Sequence, residues 1–142
     1  MSLDPYKLNL AGKVKFVKKR IIKARIVVVL EGTIENREIQ LIHPASRCVR
    51  KGEIFELLTT PEKVKPGDII NTVTYLGFAE VEIGGVLRVG DIVFSGKKKV
   101  GSVVGFDETH FPNHQNIVLK SLDESSISHV FKLEEEIIFK QD

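Results

Sequence analysis

The apolar positions fall into short runs separated by glycine, proline and charged residues. Val, Ile, Phe and Thr fill most of them, the pattern of short strands joined by tight turns. Val14 to Val17 is a first predicted strand and Ile21 to Leu30 a second, ended by Glu31-Gly32. From Arg37 to His43 the alternation is regular. Glu38 and Gln40 fall on one side, Ile39 and Leu41 on the other, and Pro44 stops the run. Arg47 to Val49 and Ile54 to Leu58 predict short strands around Lys51-Gly52. Ile69 to Val81 is a long apolar stretch broken at Gly77, and Gly84-Gly85 is a hairpin signal pairing it with Val86 to Val89. Gly90-Asp91 turns into Ile92 to Phe94, and Ser95 to Lys98 is a hairpin tip leading to Val100 to Val104. Ile117 to Leu119 and Val130 to Phe139 complete the set.

Helical signals are sparse. Thr60 to Val64 has an N-cap threonine followed by Pro61, enough for one helical turn. Glu134-Glu135-Glu136 is helical in composition, but its apolar flanks favour strand. Lys65-Pro66-Gly67-Asp68 is a turn in which proline presets the first corner and glycine the second. It resembles Arg88 to Asp91, since each is a Gly-Asp turn opening an apolar strand. The expected fold is all-β: one domain over residues 1–142, built as a small barrel or a strongly twisted two-layer antiparallel sheet.

A chain of 142 residues, 42% hydrophobic and 28% charged, can bury a core without staples. The lone Cys48 makes no internal disulfide, no signal-peptide layout opens the chain, and no apolar run is long enough to span a bilayer. A cytoplasmic protein without a membrane partner is expected. Charge is uneven. Residues 1–71 carry 14 Lys/Arg against 8 Asp/Glu, and residues 72–142 carry 7 against 11. The cations concentrate between Lys13 and Arg25, where Lys13, Lys15 and Lys19 alternate with apolar residues as on a solvated strand face. With no Trp and two Tyr, the chain lacks a base-stacking platform, so nucleic acid is not the expected partner.

The densest polar chemistry lies between Gly105 and Asn116, flanked by apolar runs. Asp107, Glu108, His110, Asn113, His114 and Asn116 are its candidate ligand-binding residues, on a loop presented by a rigid sheet. His110 and His114 have the spacing that places two imidazoles on one helical face, but Pro112 between them rules out a regular helix. A loop can still gather ligands, and His110, His114 and Asp107 form a candidate set for a divalent metal such as Zn or Mn. His43, at a strand end, is a further candidate. Asp107, Asn113 and Asn116 can equally serve as turn-forming groups.

Cys48 with His43 could form a nucleophile and base, although a lone cysteine between Arg47 and Val49 reads more simply as a small buried residue. His129 lies in a polar linker and reads as solvated. Phosphate-loop, dinucleotide and nucleophile-elbow motifs are missing.

Tyr75-Leu76-Gly77-Phe78-Ala79-Glu80, Gly84-Gly85, and Gly105-Phe106-Asp107-Glu108-Thr109-His110 with Pro112-Asn113-His114 and Asn116-Ile117-Val118 resemble a prokaryotic β-protein family with no established activity. Gly90-Asp91-Ile92-Val93, Val100 to Gly105, and His114 followed by Ile117 to Leu119 are similar to the IIA component of the glucitol/sorbitol phosphotransferase system. That resemblance implies a small β-barrel-like protein in which a histidine carries a phosphoryl group. His43 and His114 are the positions to test, and the acidic, His-rich segment from Asp107 to Asn113 departs from that pattern.

Three function classes follow. The first is a binder of a small polar, sugar-like molecule at the 105–116 loop. The second is a metal-dependent enzyme using His110, His114 and a carboxylate. The third is a phosphocarrier-like or basic-surface interaction module. A homo-oligomer is compatible with each.

Overall fold

The computed structural model describes residues 15–121 and 130–142. Twelve strands are formed: β1 (Ile22–Val29), β2 (Thr33–Ile34), β3 (Ile39–Gln40), β4 (Ser46–Val49), β5 (Ile54–Thr60), β6 (Ile69–Ile70), β7 (Val73–Ile83), β8 (Gly85–Arg88), β9 (Ile92–Ser95), β10 (Lys98–Asp107), β11 (Gln115–Ser121) and β12 (Glu136–Lys140). Seven of them close a mixed barrel in the order β1-β12-β9-β10-β11-β5-β7, with β7 pairing back onto β1. All neighbours in the barrel are antiparallel except β5 and β11, which run parallel. The all-β barrel is as the strand pattern predicts, and the parallel pair departs from the purely antiparallel sheet. No helix among the described residues is long and apolar enough to cross a membrane.

Alternation along each strand separates two cores. Ile22, Ala24 and Ile26 of β1, Phe55 and Leu57 of β5, Ile117 and Leu119 of β11, and Ile137 and Phe139 of β12 belong to the main core. Phe55 and Phe139 meet edge to face, with ring centroids 5.9 Å apart, a favoured aromatic geometry. The opposite faces of β5 and β11 carry Leu58 and Val118, which form a second core with Ile39, Leu41, Ile70 and Val73. The segments containing β3 and β6 pair with each other and cover this outer face. The ribbon of β4 and β8 contributes Val49 and Leu87 to the main core.

Several local expectations are corrected. The described part of the predicted first strand, from Lys15, is not strand, and Val17 is exposed. The periodicity there is incidental, because Phe16 instead packs under the Arg88 guanidinium, 4.5 Å from its ring centre. Val14, Lys13 and His129 lie outside the described residues. Thr60 caps without a helix. It ends β5, and its hydroxyl accepts the Glu62 amide at 3.2 Å. Gly84-Gly85 does not make a hairpin, since β8 pairs with β4 rather than with β7. β12 begins only at Glu136, after a turn at Leu133-Glu134.

Candidate functional site

The residues from Gly105 to Asn116 do not all form a loop. Gly105, Phe106 and Asp107 are the end of β10, and Gln115 and Asn116 open β11, so the connection is 108–114. Strand register then builds a row across the outside of the barrel. Asp107 pairs with Asn116, Asn116 with Glu56 of β5, and Glu56 with Phe78 of β7. Each residue of this row lies on the face opposite to its main-core neighbours, Phe106, Ile117, Phe55 and Ala79.

The row's polar members are buried, and their bonds hold the loop. Asp107 is 2% exposed. Its Oδ1 accepts the Thr109 hydroxyl at 2.6 Å and amide at 3.3 Å, and its Oδ2 accepts the Asn116 carboxamide at 2.7 Å. Asp107 therefore acts as a turn-forming group, with both oxygens engaged. Backbone bonds from Phe111 to Glu108 and from Asn113 and His114 to His110 wind the connection tightly. The Phe111-Pro112 peptide is cis. The His114 amide bonds to the His110 carbonyl at 3.4 Å, and the two imidazoles lie on one side and stack at 5.1 Å with 27° between their planes.

His114 is fixed from both ends. Its Nδ1 accepts the Asn113 side-chain amide at 2.7 Å, which leaves Nε2 to donate to Glu56 Oε1 at 2.9 Å. A histidine whose second nitrogen is bonded is held in one tautomer. Phe78 meets the ring edge-on at 4.8 Å. Glu56 is 5% exposed, and His114 shields it from solvent. His110, stacked on the fixed ring, is exposed, as are Glu108, Thr109 and Asn113. Phe111 is 51% exposed, with the Arg47 guanidinium 5.5 Å from its ring centre. Arg47 is in turn held by Glu53 at 3.2 Å.

Glu56, Phe78 and Arg47 are the site members that sequence reading missed. Their sequence separation from the loop hides them, since only the register of β5, β7 and β4 brings them near. One signal was present: Glu56 is the single charge in the apolar run Ile54 to Leu58.

The other candidates sit apart from this cluster. The His43 ring lies against Gly67 in the 65–68 turn and makes no hydrogen bond or ring contact with His110 or His114. Cys48 is exposed, which corrects the reading of a buried small residue. Among the described residues, no group of three His, Cys, Asp or Glu side chains is placed to hold a metal ion. The set of His110, His114 and Asp107 is not assembled as ligands, because Asp107 faces Thr109 and Asn116 while His114 faces Glu56 and Asn113. Three cations between Lys19 and Arg25 are matched by acids from the second half of the chain: Lys19 with Asp91, Lys23 with Glu136, and Arg25 with Glu82.

The base of the loop also holds unpaired polar atoms. Asn116 Oδ1 and both polar atoms of the Gln115 carboxamide are buried without hydrogen-bond partners. Such atoms are uncommon in native proteins and costly.

No curated protein and no solved structure gives a significant match. Residues 16–140 match a family described as a family of unknown function, DUF6917, and the chain belongs to that family.

Proposed function

We propose that the protein binds a small polar, sugar-like molecule at the 108–114 connection. The observation that carries the reading is the pairing of a locked imidazole with an exposed one. His114 spends both nitrogens on Asn113 and Glu56, which makes it a fixed platform. His110 stacks on that platform in solvent, next to the exposed ring of Phe111. A sugar ring suits such a surface: its C–H face covers an aromatic ring, and its hydroxyls bond to imidazole and carboxylate groups. Glu108 supplies an exposed carboxylate beside the pair. The unpartnered polar atoms of Gln115 and Asn116 beneath the loop add support, because such costs concentrate at functional sites. A metal-dependent reaction finds less support, since the described residues gather no third ligand.

The test is a titration of the 15N-labelled chain with a panel of neutral monosaccharides and sugar acids, followed by amide shifts. A binding member of the panel is expected to move Thr109 to His114 and Glu56 together. The double change His110→Ala with Phe111→Ala is expected to weaken that ligand at least about tenfold, the scale of one lost strong contact. If no panel member shifts these amides, or the double variant binds equally well, the proposal is wrong.

A further inference from the structure

A second site is suggested on the same outer surface by a groove of about 480 Å³ lined by Lys63, Val64, Lys65, Asp68, Ser102, Val104 and Lys120. Its floor is strand and its wall is a turn. Ser102 and Lys120 are direct partners across β10 and β11, and Val104 follows on β10. The wall is the chain from Lys63 to Asp68, whose turn is closed by the Asp68 amide bonding to the Lys65 carbonyl at 3.0 Å. Val64 and Val104 pack against the second core, so the groove has an apolar patch between its charges.

The charge is unbalanced. None of the three lysines makes an ion pair among the described residues. Lys120 Nζ reaches only the Ser121 carbonyl, at 3.3 Å. Asp68 is the one carboxylate in the lining, and its Oδ2 accepts the Lys65 amide at 3.0 Å. Three ammonium groups against one carboxylate leave the groove at +2. Glu62 lies outside the lining, with its carboxylate accepting the Asn71 and Thr72 amides at 2.9 and 2.7 Å. By contrast, Lys19, Lys23 and Arg25 each have a carboxylate partner.

We infer that this groove is a binding site for a small phosphate monoester. A monoester carries about −1.5 to −2 at neutral pH, the complement of the groove's excess, and lysine serves as a point-charge phosphate binder. The Ser102 hydroxyl is a donor for a phosphate oxygen. Val64 and Val104 contact the apolar part of the ester. The site is independent of the 108–114 connection and shares no residue with it.

The experiment is an NMR titration of the full chain with inorganic phosphate and, separately, with butyl phosphate. Saturable shifts centred on Ser102, Val104 and Lys120 are expected. Butyl phosphate should bind more tightly than inorganic phosphate, and added sodium chloride should weaken both. Lys120→Gln should weaken binding at least about tenfold, the worth of one charge-assisted contact, and Lys63→Gln with Lys65→Gln and Lys120→Gln should abolish it. If the triple variant does not fold, the exposed pair Lys63→Gln with Lys65→Gln carries the test and should also weaken binding. The inference is overturned if the shifts fail to saturate, if they spread evenly over all lysine-bearing surface, or if the variants bind as the parent does.

Discussion

At the scale of single residues, the contact between Glu56 and His114 decides how the histidine pair is held. Both side chains are largely buried, 7% and 10% exposed, and 2.9 Å apart. Truncating Glu56 leaves the Nε2 proton of His114 without its acceptor, a loss of about 1–3 kcal/mol for a buried group left unsatisfied. Glu56→Ala should therefore lower stability in urea by that amount. Glu56→Ala combined with His114→Ala should cost less than the sum of the single changes, because the second removes the orphan the first creates. Additive costs would mean that the contact contributes nothing. The density of His, Asn and carboxylate between Gly105 and Asn116 is a local property, and it is visible without a fold. What each group does is not local. Asp107 reads as a metal ligand until Thr109 and Asn116 are seen to take both of its oxygens, and Glu56 reads as a stray charge until strand pairing places it beneath His114.

At the scale of elements, glycine was the main source of misreading. Gly77 interrupts the apolar pattern of the sequence, yet β7 runs through it from Val73 to Ile83. The glycine is needed because a β-carbon there would collide with the Val28 carbonyl oxygen of the neighbouring strand. Pairing on both sides of it is irregular, with register shifts between Ile26 and Val28 and between Leu57 and Leu58. Such bulges and close approaches let a sheet bend into a barrel. Gly77→Ala should lower stability by about 2–4 kcal/mol, since backbone, unlike a flexible side chain, cannot step aside. An unfolding free energy from urea titration within about 0.5 kcal/mol of the parent would show that β1 and β7 have slack at this corner. Gly84 misled in the same way. A β-carbon at Gly84 would sit 2.6 Å from the Val49 carbonyl oxygen, so the glycine allows the chain to cross closely over β4 rather than to turn a hairpin. A Gly-Gly pair looks the same in sequence whether it serves a turn or a crossing, and only the partner strand distinguishes them. By contrast, the Lys65 to Asp68 and Ser95 to Lys98 turns were legible, because their chemistry is contained within the turn itself.

At the scale of the whole molecule, the uneven charge of the two halves becomes a fastening. Three cations of the basic segment, Lys19, Lys23 and Arg25, pair with acids far along the chain, 72 residues away in the case of Lys19 and Asp91. That pair is 2.5 Å apart, with side chains 8% and 4% exposed. Lys19 also donates to the Val86 carbonyl at 3.0 Å, and Asp91 accepts the Arg88 amide at 2.9 Å. The pair thus ties the chain that leads into β1 to the turn between β8 and β9. Removing one partner of a buried ion pair strands the other charge, at a cost of about 3–5 kcal/mol, whereas replacing both with apolar groups is often close to neutral. Lys19→Met should accordingly lower stability by about 3–5 kcal/mol, and Lys19→Met with Asp91→Leu should recover most of that loss. The recovery falls short of complete, because Arg88 keeps an amide that Asp91 no longer accepts. Urea unfolding of the two variants against the parent decides the matter. If Lys19→Met costs less than about 1 kcal/mol, the pair behaves as a solvated surface contact, and the segment before β1 is held by its other contacts: Phe16 under Arg88, and the Phe16 carbonyl bonded to Gln141 at 2.6 Å.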